Sequence, residues 1–245
     1  MRKQYGLIGR NISYSFSKKY FSEKFQHNRL DDHSYENFDL REIAEFPLII
    51  KNNRGLAGLN VTIPYKETVI PFLDTLSKKA KKIGAVNTIR FTKSGKLKGY
   101  NTDWYGFSKA LLPLLKPHHK KALLLGTGGA SKAVAFALKE LGIKATFVSR
   151  VTMIGQLTYD ELDEKIFQDY PIIINCTPLG TSPDVEVCPD IPYALFTPRH
   201  IAFDLIYNPA ETLFLQKAKA QGAVIKNGLE MLAFQAEKAW KIWNK

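Results

Sequence analysis

The sequence predicts an α/β fold made of two α/β domains. Strand-like and helix-like segments alternate along the chain, as in domains whose sheets are covered by helices. A glycine-rich turn at 126–131 stands between an apolar strand and a helix, which is the setting of a dinucleotide-binding unit. With 245 residues, of which 45% are hydrophobic, the chain is long enough for one large domain or two small ones with a buried core.

The first 104 residues contain a mixed series of strands and helices. Short β-prone runs predict strands, and longer segments with apolar residues at helical spacing predict helices. Ser94 and Gly95 are typical of the turn in a β-hairpin. In chain order the predicted elements are strand Tyr5–Ile8, helix Lys18–Phe25, strand Tyr35–Phe38, helix Glu42–Asn52, strand Gly58–Ile63, helix Asp74–Lys82, and a hairpin of Asn87–Phe91 with Lys96–Tyr100.

A second α/β series begins after Pro117, with the apolar strand Ala122–Leu125. The helix that follows the glycine turn is expected to stop at Gly142, because glycine often ends helices. Residues 151–171 are short for a crossover between parallel strands, so the helix there is expected to be reduced to a turn. The remaining predicted elements are a helix over 105–117, strands at Ala145–Ser149, from Ile172 and from Ile201, and an amphipathic helix over Leu229–Trp243.

The chain is basic, with a formal net charge of +12. This charge suits anionic ligands, either nucleic acid or small phosphorylated and carboxylated molecules. The lysine run at 78–82 is interpreted as the solvated face of a helix, since no interleaved aromatic residues support nucleic-acid recognition. We expect no nucleic-acid partner, although the charge alone keeps nucleic-acid binding open as an alternative.

Membrane, secreted and metal-binding classes find no support in the sequence. No apolar run reaches the roughly 18–20 residues of a membrane span, and the first residues do not resemble a signal peptide. Cys176 and Cys188 are too few for a disulfide framework. His118 and His119 lie in a lysine-rich loop and are interpreted as solvated side chains rather than metal ligands. We expect a cytoplasmic protein with no membrane partner and no metal.

A strand that ends at a proline marks a first candidate site. Pro64 cannot donate a hydrogen bond to a sheet, so the strand over 58–63 ends there. Ligands of open α/β sheets bind at strand ends, which places Thr62 and Lys66 at the rim of a pocket. A second polar cluster, which includes Asp103, follows the hairpin.

The glycine turn marks a second candidate site. Gly126 permits a tight turn, Gly128 lets a pyrophosphate approach the backbone, and the amides of the following helix attract negative charge. Ser131 stands where the general motif has Gly or Ala. Arg150 follows the next strand with no acidic residue beside it, and its guanidinium suits the 2′-phosphate of NADP. The alternatives are a purely structural turn and, for Arg150, an ordinary surface charge.

Three polar segments, Asn60–Glu67, Gly84–Thr88 and Gly99–Asp103, together resemble the shikimate dehydrogenase family. The turn Gly-Thr-Gly-Gly-Ala-Ser also has a form found in that family, and the resemblance extends over nearly the whole chain. It implies an NADP-dependent oxidoreductase that interconverts 3-dehydroshikimate and shikimate by hydride transfer, in the pathway to chorismate and aromatic amino acids. It also implies a small-molecule partner and a monomer or homodimer.

The resemblance implies two domains with different tasks. Residues 1–104 with 228–245 are expected to form a substrate-binding catalytic domain, to which the C-terminal helix returns. Residues 105–227 are expected to form a Rossmann-like NADP-binding domain.

By the same resemblance, Lys66 and Asp103 correspond to the catalytic pair of the family. Lys66 would stabilise developing oxyanion charge and transfer a proton, and Asp103 would orient Lys66 and hold a substrate hydroxyl. Without the flanking motifs, a lysine and an aspartate in a sequence are normally a surface salt bridge or make no contact.

The resemblance implies a larger set of substrate-binding residues. Ser15 and Ser17 match the serines that hold the substrate carboxylate in the family, although Tyr14 replaces a histidine and Lys18 a proline. Either serine could instead cap a helix. The buried amide expected for the glutamine at 235 suggests either a ligand or an interdomain contact. The implied set is Ser15, Ser17, Thr62, Asn87, Asp103, Tyr207 and Gln235.

The cofactor-binding residues that the resemblance implies follow four strands. Arg150 lies in Ser-Arg-Val rather than the usual Asn-Arg-Thr, and a second arginine of the family is absent. Gly228 matches a glycine that contacts nicotinamide, with a plain helix start as the alternative. The implied set is Gly126, Thr127, Gly128, Gly129, Ala130, Ser131, Ser149, Arg150, Thr177, Leu205 and Gly228.

Two alternative functions stay open beside this reading. One is a quinate/shikimate dehydrogenase that prefers NAD, against which Arg150 and the Ser15/Ser17 pair argue. The other is a catalytically silent paralogue that binds ligand, against which the presence of both Lys66 and Asp103 argues.

Overall fold

The computed structural model describes residues 3–13 and 15–245, and these form two compact units. One unit contains the chain up to Asp103 together with Gln235–Lys245, and the other contains Trp104–Phe234. Strands and helices alternate in both, so the predicted α/β class is confirmed. Across the described ranges, no helix is both long enough and apolar enough to cross a membrane.

The first unit is built on a six-stranded mixed sheet. Its elements are β1 (Lys3–Gly9), α1 (Phe16–His27), β2 (His33–Asp39), α2 (Phe46–Asn52), β3 (Leu56–Val61), β4 (Thr75–Leu76), α3 (Lys78–Ile83), β5 (Thr88–Phe91) and β6 (Leu97–Tyr100). The strand order is β2-β1-β3-β5-β6-β4, in which β1 pairs parallel with β2 and β3, and β5 pairs antiparallel with β3 and β6. The carboxyl ends of β1 and β3 therefore meet at one edge of the sheet.

The second unit is built on a six-stranded sheet in which every pairing is parallel. Its elements are α4 (Asp103–Leu111), β7 (Lys121–Leu125), α5 (Gly129–Glu140), β8 (Lys144–Ser149), β9 (Leu157–Thr158), α6 (Glu164–Asp169), β10 (Ile172–Asn175), β11 (Ile201–Asp204), α7 (Leu213–Ala220), β12 (Val224–Lys226) and the start of α8 (Leu229–Trp243). The order β12-β11-β10-β7-β8-β9 is the 6-5-4-1-2-3 arrangement of a Rossmann-type sheet. Ligands of such sheets bind where the order reverses, beyond the carboxyl ends of β7 and β10.

The central strands of the second sheet are apolar on both faces, as expected for a parallel sheet covered on both sides. Leu124 and Ile174 belong to the core on one face, and Leu123 and Ile173 belong to the core on the other.

The end of α8 packs within the first unit. Trp243 is 7% exposed, its indole nitrogen donates to the Ile89 carbonyl at 3.0 Å, and its ring centroid lies 4.9 Å from that of Tyr5. A β-carbon at Gly58 would overlap the indole, so the glycine in β3 makes room for it. This packing fixes the carboxyl half of α8 on the first sheet.

Two predicted helices begin later than expected. The predicted helix Glu42–Asn52 is a 3₁₀ turn followed by α2, because Pro47 lies in the first turn of α2, where the missing amide costs nothing. The predicted helix Asp74–Lys82 begins only at α3, because Ser77 caps it and Thr75–Leu76 pair with β6 instead.

Two expectations for the second unit also differ from the structure. The helix predicted over 105–117 begins at Asp103 and ends at Leu111, where a 3₁₀ turn with Pro113 follows. Within 151–171, β9, a 3₁₀ turn and α6 follow one another. The expectation of a bare turn there is therefore wrong, although α6 has only six residues.

Candidate functional site

In the first unit, Lys66 and Asp103 form an ion pair that is largely shielded from solvent. Lys66 Nζ donates to Asp103 Oδ2 at 2.7 Å, and 14% and 6% of the two side chains are exposed. Lys66 lies in the turns after β3, and Asp103 is the first residue of α4. Separating a buried pair leaves an uncompensated charge, which is strongly unfavourable. The alternative of an exposed surface pair is therefore wrong.

Asn87 holds the other oxygen of the Asp103 carboxylate. Its Nδ2 donates to Asp103 Oδ1 at 2.7 Å and to Thr102 Oγ1 at 2.9 Å, while its Oδ1 accepts from the Thr102 amide at 2.7 Å. Both carboxylate oxygens of Asp103 are thus occupied, one by an amide and one by an ammonium group. This arrangement fixes the direction in which Lys66 approaches Asp103.

Gln235, on α8, reaches the same cluster. It is buried, and its Oε1 lies 3.3 Å from Asn87 Nδ2 and 3.3 Å from Thr102 Oγ1. These contacts lie within its own unit. The structure therefore brings Lys66, Asn87, Asp103 and Gln235 into one polar cluster.

Ser15 and Ser17 occupy different environments at the start of α1. Ser15 is the N-cap, with its hydroxyl accepting from the Lys18 amide at 3.4 Å, so the helix-cap alternative is present for this residue. Ser17 is buried, and its hydroxyl opposes the rise in the Tyr35 pKa that burial causes, which places the two side chains close together. Tyr14, where the family has histidine, lies outside the described residues.

Thr62 stands at the carboxyl end of β3, as predicted. Its amide donates to the Ile8 carbonyl at 2.8 Å, and its own carbonyl accepts from the Tyr65 amide at 2.9 Å. The Thr62 side chain is half-buried. The backbone bonds fix its position where the chain leaves the sheet.

Two buried polar residues that sequence reasoning missed extend the cluster towards α1. Tyr35 donates to Asn60 Oδ1 at 2.7 Å, and Asn60 Nδ2 donates to the Asn87 carbonyl at 3.2 Å. Burial raises the pKa of Tyr35, which keeps its hydroxyl protonated. The signal that could have found Asn60 is a polar residue between two apolar ones in a strand, because a buried amide needs partners.

In the second unit, the glycine turn leaves space for a ligand. Gly126 has φ +103°, a conformation that side chains rarely adopt, and its amide donates to the Val148 carbonyl at 3.0 Å. A β-carbon at Gly128 would meet no atom within 4 Å. Packing within the protein therefore does not require glycine at 128, whereas close approach of a ligand to the backbone would.

The first turn of α5 has no side-chain cap. Gly128 is the N-cap and has no side chain to accept from the first-turn amides, and no side-chain bond to them occurs among the described residues. Ser131 turns its hydroxyl to the Gly128 carbonyl at 2.6 Å and is buried. Serine in place of the glycine or alanine of the general motif therefore fits here, because its hydroxyl bonds to the backbone of the same helix start. Thr127, Gly129 and Ala130 complete the turn.

Arg150 follows β8 directly and is exposed. It forms no ion pair with any residue that the structure describes. The Ser149 hydroxyl accepts from the Val151 amide at 3.2 Å. Burial raises the pKa of Tyr159, and the positive charge of Arg150 opposes that rise, which places the guanidinium near this half-buried ring.

Thr177 and Leu205 follow the central strands β10 and β11, and Gly228 follows the edge strand β12. A β-carbon at Gly126 would lie 3.1 Å from Thr177 Cγ2, so the turns after β7 and β10 are adjacent. The Gly228 amide donates to the Ile206 carbonyl at 2.9 Å, and a β-carbon at Gly228 would overlap the Leu205 carbonyl. A helix start alone therefore does not explain the glycine at 228, because any side chain there would overlap the backbone of Leu205. Tyr207 follows in the same turn as Leu205.

His119 differs from its predicted state. It is buried, its Nδ1 accepts from the Lys116 amide at 2.8 Å, and its Nε2 lies 3.1 Å from the Arg199 carbonyl. The prediction that His119 is solvated is wrong, because its ring bonds to the backbone of both Lys116 and Arg199. The residues that the structure describes hold no group of three or more His, Cys, Asp or Glu arranged to bind a metal ion.

Comparison with known proteins decides the family. A model of the shikimate dehydrogenase substrate binding domain matches residues 7–89. A shikimate dehydrogenase (NADP(+)) of Desulforamulus reducens is 37% identical over 97% of this chain and 88% of its own length. The chain belongs to the shikimate dehydrogenase family. The resemblance predicted from the three polar segments is therefore confirmed.

Solved structures of shikimate dehydrogenases have the same fold. The enzyme of Aquifex aeolicus superposes with a TM-score of 0.87 at 35% identity, covering 99% of this chain and 92% of that one. The enzyme of Thermus thermophilus, solved in complex with NADP(H) and shikimate, gives a TM-score of 0.87 at 33% identity, covering 98% and 93%. The Rossmann-like unit predicted from the glycine turn is confirmed by these neighbours and by the strand order.

Proposed function

We propose that this chain is an NADP-dependent shikimate dehydrogenase, which interconverts 3-dehydroshikimate and shikimate by hydride transfer. Family membership over nearly the whole chain supports the reaction. The observation that carries the proposal is the shielded Lys66–Asp103 pair, held by Asn87, in the unit that contains the matched substrate-binding segment.

The chemistry assigned to Lys66 follows from its surroundings. When bound, NADP supplies the hydride exchange with carbon 3 of the substrate ring. In the reduction, the Lys66 ammonium group would donate a proton to the oxygen on that carbon and stabilise its developing negative charge; in the oxidation, the neutral Lys66 amine would accept that proton. Asp103, fixed through Asn87, keeps the ammonium group in one position.

The substrate is a small hydroxylated ring with a carboxylate, and its proposed contacts come mainly from the first unit. Asn87 and Gln235 already present amides to one cluster, and Tyr35, close to the Ser17 hydroxyl, is bonded to that cluster through Asn60. We assign residues 1–104 with 228–245 to substrate binding and catalysis. The proposed contacts are Ser15, Ser17, Thr62, Asn87, Asp103, Tyr207 and Gln235.

The residues of the second unit fit a dinucleotide phosphate. Open space at Gly128 and first-turn amides without side-chain caps suit the pyrophosphate, and Arg150, without an ion-pair partner among the described residues, suits the 2′-phosphate. We assign 105–227 to cofactor binding, with Gly126–Ser131, Ser149, Arg150, Thr177, Leu205 and Gly228 as contacts. Cytoplasmic location and a monomeric or homodimeric state stay predictions.

The deciding experiment follows absorbance at 340 nm with purified protein, shikimate, and either NADP or NAD. We expect rapid reduction of NADP and much slower reduction of NAD. Faster reduction of NAD would favour the quinate/shikimate alternative, which quinate as substrate would then test. No reduction of either cofactor by folded protein would overturn the proposal in favour of a silent paralogue.

A further inference from the structure

Asp204 is a buried carboxylate that the chemistry described above does not use. It ends β11 and is 0% exposed. Its Oδ1 accepts from Asn175 Nδ2 at 3.1 Å and from the Ile206 amide at 3.0 Å, and its Oδ2 accepts from the Thr212 hydroxyl at 2.6 Å. Its hydrogen-bond partners among the described residues are thus all neutral donors.

The bond to Asn175 reaches the turn after β10. Because Asn175 presents its amide nitrogen to Asp204, its oxygen points the other way. That oxygen accepts from the Thr177 amide at 3.0 Å and from the Thr177 hydroxyl at 2.6 Å. Asp204 therefore sets the position of Thr177 through one intervening side chain.

The bond to Ile206 reaches the turn after β11. Ile206 follows Leu205, whose amide donates to the Asn175 carbonyl at 3.1 Å, and the Ile206 carbonyl accepts from the Gly228 amide at 2.9 Å. Asp204 thus bonds directly to the turn after β11, which carries Leu205 and accepts the Gly228 amide, and it reaches Thr177 in the turn after β10 through Asn175.

A carboxylate differs from a neutral residue in two respects at this position. It only accepts hydrogen bonds, so each of its three donors has one orientation, and its bonds are roughly twice as strong as neutral ones. Burial raises the pKa of Asp204 to about 6, which leaves it ionised at neutral pH. The titratable groups that face it are Cys176 and Tyr193, and burial raises the pKa of both, so both stay uncharged.

We propose that the ionised Asp204 is a positioning residue for the cofactor, holding the turns after β10 and β11 in their binding arrangement. This inference rests on the proposed function. Because Asp204 is fully buried, it would act through Asn175 and the backbone of Ile206 rather than by touching substrate or reacting atoms. We therefore expect cofactor affinity to depend on the charge of Asp204, although Asp204 itself is too deeply buried to contact the cofactor.

The test compares the full-length wild type with Asp204→Asn. Asparagine keeps the shape and the Oδ1 acceptor but removes the charge. At pH 8 we expect the KM for NADP to rise about tenfold, as for the loss of a charge-assisted bond, with the KM for shikimate changed less than twofold. At pH 5, where the wild-type carboxyl is largely protonated, the two proteins should differ less than twofold. Because NADP itself titrates in this range, the ratio between the two proteins is the relevant quantity.

Asp169→Asn is the matched control, since Asp169 is an exposed aspartate of the same unit and pairs with Lys121. Its KM values should match those of the wild type at both pH values. A ratio between Asp204→Asn and wild type that is unity, or that is the same at pH 5 and pH 8, would overturn the inference. If Asp204→Asn does not fold, Asn175→Ala removes the connection from Asp204 to Thr177, together with the bond to the Leu179 carbonyl, and leaves the bonds of Asp204 to Ile206 and Thr212 in place. An unchanged KM for NADP in that variant would overturn the inference equally. Failure of the wild type to reduce NADP would instead count against the proposed function.

Discussion

Lys66 Nζ and Asp103 Oδ2 lie 2.7 Å apart, although the two residues are 37 positions apart in the chain. Lys66 lies in the turns after β3, and Asp103 is the first residue of α4, so the tertiary fold brings the two residues together. Asn87 holds the second carboxylate oxygen at 2.7 Å. These two bonds fix the orientation of the ammonium group relative to the rest of the cluster.

The first prediction concerns proton transfer by Lys66. Lys66→Met keeps the aliphatic stem and removes the charged donor. We expect kcat to fall by about 10²- to 10⁴-fold, the range for loss of a general acid–base group, while the dissociation constant for shikimate changes only a few-fold. Steady-state kinetics and calorimetric titration with shikimate measure the two quantities.

Lys121→Met is the matched control for Lys66→Met. Lys121 also pairs with an aspartate, at 2.8 Å, but the pair is exposed and lies in the second unit. Its loss should leave kcat unchanged. Near-normal turnover in Lys66→Met would remove Lys66 from the catalytic role.

The second prediction concerns the choice of cofactor. Arg150→Ala should raise the KM for NADP at least tenfold and the KM for NAD less than twofold, because only NADP carries the 2′-phosphate that the guanidinium would bind. Arg199→Ala, at another exposed arginine of the same unit, should change neither value. An equal rise for both cofactors would show that Arg150 does not recognise the 2′-phosphate.

Local patterns placed two strand ends to within two residues. β3 ends at Val61, two residues before the end predicted from Pro64, and β7 ends at Leu125, directly before the glycine turn, because proline and glycine act on the backbone wherever the chain is folded. The amphipathic pattern at 229–243 likewise identifies α8. These features depend on neighbouring residues only, so sequence alone reveals them.

Features that depend on distant partners escaped local reasoning. Thr75–Leu76 form a strand only because β6, more than 20 residues later, offers an edge for pairing. The Tyr35–Asn60 bond and the bonds of Asp204 likewise join segments far apart in the chain. A sequence shows that such residues are polar and flanked by apolar ones, but the partner that satisfies them is decided by the tertiary fold.

The third prediction concerns Gly228. A β-carbon there would overlap the Leu205 carbonyl, so Gly228→Ala should displace the turn after β11 and lower kcat/KM for NADP by roughly 10-fold or more. Gly142→Ala is the control. Gly142 has φ +73° with open space around it, so alanine costs about 1 kcal/mol of backbone strain without moving a turn of the site. Activity in Gly228→Ala equal to that of Gly142→Ala would contradict the prediction.

The fourth prediction concerns stability in acid. Burial lowers the pKa of His119, and its Nδ1 already accepts from the Lys116 amide, so protonation requires that bond to break. Because the folded-state pKa is below the unfolded value of about 6.5, this group contributes full stability above that pH and loses it as the pH falls. His119→Asn keeps an acceptor but cannot titrate, so its free energy of unfolding should fall less than that of wild type between pH 7 and pH 5.

Urea unfolding at several pH values measures how the free energy of unfolding of each protein depends on pH. His27→Asn, at an exposed histidine, is the control and is expected to follow the wild type. Parallel slopes for His119→Asn and wild type would exclude His119 as the acid-sensitive group.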